Sequence, residues 1–440
     1  MSQEINKAEK QDLSLVVQAI GTDLEHTQVR MVASANADML FHYWKVGHFI
    51  LYLQKKEGWG SKVIDNLSKA IRSKYPDKKG YSRRNIFYMC QFASAYPLEV
   101  LKEMDRIDSL LTTPTVEKVL SLTNELNQIV QQPVALIQAT ENQSNTITQQ
   151  PVAQLEEVTE TLSTIYHCDI SQIEEIFKHS AIVRTNWASH VILLNSKLPL
   201  GECYWYITQA VANGWSRNVL QMQIETNLFA RQITAKKVSN FSVRLPKPQS
   251  DLANYLMKDP YIFDMMGQTD KMAERDVERQ LVSHITKYLL EMGSGFAFVA
   301  QQKHFEVGDS DFYADLILYN IQLHAYVVIE LKATPFKPEY MGQLNFYINV
   351  VDDTLRGEHD NNTIGLLLCN GGDKVVAQYA LSGYDQPIGV SDYQLSKAIP
   401  DNLKSALPTV EEVEEELSKI IDKNIYTTFD DEPVSVQTIE

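Results

Sequence analysis

The chain has 440 residues, 44% of them hydrophobic, and a net charge of −16. That length accommodates two or three domains with sizeable cores, and four scattered cysteines (Cys90, Cys168, Cys203, Cys369) without a C-x-x-C pair exclude a disulfide framework or a zinc site and point to a reducing compartment. Without a signal-type apolar run or a stretch near the ~20 residues of a membrane span, a soluble, cytoplasmic protein with no membrane partner is expected.

Charge is unevenly spread, and its distribution says more than its sum. Residues 45–84 hold eleven Lys/Arg against Glu57, Asp65 and Asp77, a local charge of +8. Residues 405–440 hold ten acids against Lys419 and Lys423, a local charge of −8. A basic module near the start and an acidic tail are therefore hidden in the acidic average.

In chain order, apolar spacing predicts a helix over 13–35, through Leu13, Val16, Val17 and Ile20. An aromatic helix follows from Met39 to Leu53 and another from Lys62 to Tyr75. Pro76 and Gly80 mark a turn. Ser82 is a candidate N-cap for a helix opening on Arg83 and Arg84. Helix, short turn and capped basic helix form the layout of a helix-turn-helix unit. Lys78, Lys79, Arg83 and Arg84 are candidate phosphate contacts, with Tyr81 and Asn85 beside them for sugar or base edges.

Residues 106–160 trade aromatics and charge for Gln, Asn, Thr and Val, and Q-Q-P-V-A occurs at both 131–135 and 149–153. This reads as a linker or insertion. Helical pattern resumes near Ile173, and Ser216-Arg217 opens a helix over Val219 to Leu228. That segment is either a second helical nucleic-acid-binding unit, with Arg217 as a phosphate contact, or a simple helix pair. After Pro246 a helix is expected at Glu274–Glu291. Strands follow at Phe296–Phe305, Phe312–Tyr319, Ala325–Lys332 and Thr363–Cys369, with a helix from Glu339 to Val351 before the last. This is an α/β domain with a mixed sheet.

The chemistry concentrates in the middle strands. Alternation sets Asp315 with Ile317 on one face, and Val328, Glu330 and Lys332 on one face of the next strand. A hairpin turn between Tyr319 and Tyr326 brings them together. Two carboxylates from adjacent strands can share a divalent ion, and hard oxygen donors suit Mg²⁺ or Mn²⁺. The Leu331 carbonyl can reach the same ion. Such an ion lowers the pKa of bound water and stabilises phosphoryl charge, while an adjacent lysine orients the water. V-V-I-E-L-K places Glu330 after four apolar residues, where a carboxylate is costly unless paired or metal-bound. Gln343 and Tyr347 follow at i, i+4 on the next helix.

The stretches F-E-V-G-D-S-D-F-Y-A-D-L-I-L-Y, V-V-I-E-L-K-A-T-P-F-K-P-E-Y-M-G-Q-L-N-F-Y and I-G-L-L-L-C-N resemble the YhcG family of PD-(D/E)XK nucleases. So do D-P-Y-I-F-D (259–264) and G-S-G-F-A-F-V (293–299). In the N-terminal half, Y-W-K-V-G-H-F-I (43–50), Y-S-R-R-N-I-F-Y-M (81–89) and N-G-W-S-R-N-V-L (213–220) are similar to that family's helical domain. The resemblance implies a restriction-endonuclease-like core in which Asp315 matches the motif aspartate, with Ala314 where the motif name has proline. Glu330 and Lys332 match E-x-K, and Gln343 and Tyr347 match a Q-x-x-x-Y signature. Glu278, rather than Glu274, resembles the helix glutamate that completes the metal site.

The expected organisation is multidomain. A helical nucleic-acid-binding domain covers 13–105, a linker or insertion 106–172, a second helical unit 173–235, the nuclease domain 246–400 and the acidic tail 405–440. The expected activity is Mg²⁺-dependent cleavage of DNA, with Mn²⁺ able to substitute. Two alternatives stand beside it: a non-catalytic nucleic-acid-binding regulator, and a structure-selective junction resolvase, which would be a homodimer.

Overall fold

The computed structural model describes residues 31, 33–53, 62–76, 80–110, 114–131, 162–264, 289, 291–293 and 295–396. The expected helix at 13–35 lies outside these residues as far as 30, as do Lys78, Lys79, Glu278, most of the helix at 274–291 and the acidic tail.

The N-terminal half is helical. Helix α1 spans 33–53, α2 Lys62–Lys74 and α3 Arg83–Ala95. Ser82 caps α3, its hydroxyl accepting from the Asn85 amide at 3.2 Å, which satisfies one of the orphan donors of the first turn. Ile50, Ile64, Ile86 and Met89 join the three helices in a small core. Gly47 permits the close crossing of α1 on α3: a Cβ there would lie 2.1 Å from the Met89 carbonyl oxygen. The helix-turn-helix layout is thus present as α2, turn and α3.

Helices α4 (Leu98–Leu110), α5 (Val116–Gln131), α6 (Ile170–His179), α7 (Trp187–Ser196), α8 (Leu200–Ala212) and α9 (Arg217–Glu225) follow. Their apolar faces share one core with α1 and α3, running from Leu40 and Trp44 through Leu122 and Leu126 to Tyr206 and Leu220. Of the linker expected at 106–172, residues 111–113 and 132–161 lie outside the described residues, and the described part up to 131 differs from that expectation. The rest of α4 and all of α5 are core helices, and a Cβ at Gly201 would sit 2.2 Å from the Thr123 carbonyl oxygen. Polar composition hid an amphipathic helix whose apolar stripe, Val119, Leu122 and Leu126, keeps helical spacing. The regions 13–105 and 173–235 likewise share that core within their described parts.

The C-terminal half is built on a seven-stranded sheet, β1 (Val238–Ser239), β2 (Tyr261–Asp264), β3 (Phe296–Val307), β4 (Ser310–Asn320), β5 (Ala325–Lys332), β6 (Ile364–Cys369) and β7 (Ile388–Ser396). The order is β1-β7-β6-β5-β4-β3, with β2 also on β7. β3, β4 and β5 pair antiparallel, whereas β5, β6 and β7 pair parallel. The mixed sheet is as expected; β1, β2, β7 and the helix Lys374–Leu381 had no strong pattern to announce them. One face packs on α10 (Phe241–Arg244) and α11 (Gln249–Leu256), the other on α12 (Tyr340–Thr354) and α13 (Lys374–Leu381). Asn320 shapes the β4–β5 turn, its side-chain oxygen accepting from the Gln322 and Leu323 amides at 3.0 and 2.9 Å. Among the described residues no helix is long and apolar enough to cross a membrane, and all four cysteines are free thiols.

Candidate active site

The β4–β5 register pairs Ile317 with Val328 and Leu316 with Ile329. One step further along this register sets Asp315 opposite Glu330. Both continue the row of Ile317 and Val328, which faces α12. All three charged groups are inside the protein: Asp315 is 7%, Glu330 0% and Lys332 7% exposed.

They form one bonded unit. The Lys332 ammonium donates to Glu330 Oε1 at 2.9 Å. Asp315 Oδ2 accepts from the Leu331 amide at 3.0 Å, the residue between those two. Its other oxygen accepts from Gln302 Nε2 at 3.0 Å. Gln302 holds φ +44, a left-handed conformation that is uncommon outside glycine. Gln302 was not legible in the sequence, because its role depends on the placing of β3 against β4. Tyr340 was missed too: its ring centroid lies 5.6 Å from the Lys332 ammonium, and its hydroxyl is 2.6 Å from Thr334 Oγ1. A ring face at that distance attracts a cation.

On α12, Tyr347 is buried in the core against the sheet, while Gln343, one turn earlier, is exposed. Glu278 lies outside the described residues, and among those described no cluster of three or more acidic, His or Cys side chains of metal-binding type occurs. Asp315 and Glu330 remain a pair of hard oxygen donors on adjacent strands.

The comparisons with known proteins fall on these elements. The profile of the YhcG PDDEXK nuclease domain matches residues 254–408, and that of the DUF1016 N-terminal domain matches residues 19–121. The chain thus contains a YhcG-type PDDEXK nuclease domain and a DUF1016 N-terminal domain, the two together matching a YhcG-like PD-(D/E)XK nuclease. It is similar to the Escherichia coli (strain K12) protein named "Putative nuclease YhcG", with 28% identity over 203 residues, 46% of this chain and 54% of that protein. The chain thus spans about half the length of the curated relative it matches. A solved repair endonuclease from Pyrococcus abyssi aligns over 30% of this chain and 50% of its own, at 14% identity and a TM-score of 0.21, an overlap too small to support an inference.

In the DUF1016 region, Arg83 and Arg84 are exposed at the start of α3. Arg83 pairs with Asp65 at 2.9 Å, and the Arg84 guanidinium lies 5.6 Å from the Tyr88 ring centroid. Tyr81 and Asn85 have internal partners: the Tyr81 hydroxyl is 2.6 Å from His42 Nε2, and Asn85 accepts from Trp187 Nε1 at 2.8 Å. Burial, then the nearby Lys45, pushes the His42 pKa down. Phe87, one turn from Arg83 and Arg84, is 50% exposed. Arg217 is exposed at the start of α9, which Ser216 caps through the Val219 amide.

Proposed function

We propose that this chain is a metal-dependent nuclease that hydrolyses phosphodiester bonds, most readily in DNA. The observation that supports this best is the buried unit of Asp315, Glu330 and Lys332, tied together through the Leu331 amide. Two buried carboxylates on adjacent strands suit a hard divalent ion, Mg²⁺ or Mn²⁺, with Asp315 and Glu330 holding it and Glu278 as a third donor. Such an ion, when bound, acidifies a water and offsets phosphoryl charge. Lys332 orients the attacking water and offsets charge on the phosphate oxygens. Gln343 assists from the exposed side of α12. Gln302 and Leu331 hold the Asp315 carboxylate in place.

In this reading the helical half supplies the grip. Arg84 and Arg217, with Lys78 and Lys79, contact phosphates, and the affinity they provide falls steeply with salt. The free thiols fit a cytoplasmic setting.

The test is cleavage of linear, nicked, branched and single-stranded DNA and of RNA by the full chain in Mg²⁺, Mn²⁺ or EDTA, with Lys332→Ala alongside. Cleavage in Mg²⁺ that both EDTA and the variant abolish is expected. Binding without cleavage on every substrate would sink the proposal in favour of a regulator. Cleavage confined to branched DNA would identify a junction resolvase.

A further inference from the structure

The helical half and the nuclease domain meet around a cavity of about 280 Å³ that takes no part in the proposed nuclease site. Gln209 and Trp215 wall it from the helical half; Tyr255, Lys258, Met292 and Gln322 wall it from the other. Lys258 is only 3% exposed, yet it lines this space. Among the described residues its ammonium makes no hydrogen bond or ion pair; its bonds are those of the backbone, the amide donating to the Tyr261 hydroxyl and the carbonyl accepting from the Ser391 hydroxyl.

The acids nearby are already committed. Glu291 accepts from Arg231 Nη1 at 2.5 Å and from the Ile262 amide at 3.0 Å. Asp259 is engaged by Lys374, by the Ser391 hydroxyl and by the Asp392 amide. The buried junction therefore holds Arg231 and Lys258, with the half-exposed Lys374, against the two carboxylates Glu291 and Asp259. Lys237, half-buried nearby, donates to the Asn254 carbonyl, and burial lowers its pKa to about 7. An uncompensated cation in such surroundings is costly. Burial lowers the Lys258 pKa only to about 8, so it carries its charge near neutral pH. The rest of the wall offers an indole, leucine side chains and the amides of Gln209, Asn213, Gln232 and Gln322, of which Gln209 and Gln232 already donate to Tyr255. A buried cation facing a mostly apolar space of this size is the complement of a small anion with an apolar body.

We propose that the junction cavity binds a compact organic anion, a carboxylate or phosphate on a planar or apolar body, with Lys258 as its counter-charge. Because both halves wall the cavity, an occupant ties the helical half to the nuclease domain. The site is independent of the nuclease reading.

The full chain is titrated near neutral pH with benzoate, phenyl phosphate and uncharged benzamide, by calorimetry and by tryptophan fluorescence. One or both anions should bind, raise the unfolding temperature and change the fluorescence, while benzamide does neither. Binding by benzoate alone identifies the carboxylate class, and by phenyl phosphate alone the phosphate class. Lys258→Met should weaken binding more than about tenfold and, without any ligand, unfold at a higher temperature than the parent. Lys258→Gln repeats the test if the first variant folds poorly. Trp215→Phe should lose the fluorescence change, and Lys332→Met should bind as the parent does, which separates this cavity from the nuclease site. Equal binding of anion and benzamide, anion binding unchanged in both Lys258 variants, or no binding at all overturns the proposal.

Discussion

Neutralising the Glu330–Lys332 pair one side at a time and then together separates a site built for a charge from one built for stability. The side chains are 0% and 9% exposed and the contact is 2.9 Å. At an effective dielectric near 20 their attraction is about 6 kcal/mol, and the desolvation of two buried ions offsets most of it. Lys332→Met leaves a buried carboxylate and Glu330→Gln leaves a buried ammonium, so each should cost about 3–5 kcal/mol. The double variant buries neither charge. Its stability should lie within about 1 kcal/mol of the parent, or above it, although all three variants should be inactive in cleavage. Urea unfolding in EDTA measures the four proteins. Mg²⁺ should restore part of the loss in Lys332→Met, because the ion supplies a counter-charge to Glu330 and binds the folded state only. If the double variant loses as much as the two single losses added together, the pair is not coupled and the reasoning is refuted.

Three further outcomes are expected. Burial holds the pKa of His48 at about 3 and that of His190 at about 4, so below the unfolded value of about 6.5 the unfolded chain binds protons that the folded helical core refuses. Stability should therefore be fully present above pH ~6.5 and fall as pH drops toward ~4, by about 2 kcal/mol per histidine at pH ~5; a flat profile from pH ~7 to ~5 would show that these rings do not matter. Gly201→Ala should destabilise the helical core by about 2–4 kcal/mol, since the new methyl meets the Thr123 backbone, and an unchanged unfolding midpoint would mean that α5 is not held against α8. Arg84→Ala should reduce the salt slope of DNA binding by about one, whereas Phe87→Ala should weaken binding at every salt concentration without changing the slope; unaltered affinity in both would remove this face of α3 from the interface.

Legibility in the sequence followed the range of the physics. Strands β4 and β5 could be read from their apolar runs, and the two-residue strand period then placed Asp315, Glu330 and Lys332 on one face. The caps at Ser82 and Ser216 are local side-chain chemistry and were equally visible. Gln302 and Tyr340 were not, because each reaches the site through a tertiary contact with no characteristic spacing. Helix α5 was obscured by polar composition, and the union of the helical segments in one core could not be seen from segments taken singly. Tyr81 and Asn85 illustrate the same boundary: chemically they suit nucleic acid, but His42 and Trp187, distant in sequence, hold them.

The position of the site follows from a change of pairing along β5. This strand pairs antiparallel with β4 through residues 325–329, and parallel with β6 through 327–332. From Glu330 onward the edge toward β4 has left that ladder, and the Leu331 amide there needs an acceptor. The Asp315 carboxylate supplies it at 3.0 Å. The aspartate thus replaces a missing rung of the ladder with a charged group, in the place where the neighbouring strand carries Glu330 and Lys332. Position 331 contributes its backbone to the site, while its Leu331 side chain packs into the core on the opposite face of the sheet. Asp315 thus has two duties. Asp315→Asn, which keeps a single acceptor oxygen and sets a donor NH2 against either the Leu331 amide or Gln302, should lose fold stability together with activity, whereas a residue serving only the reaction would lose activity alone.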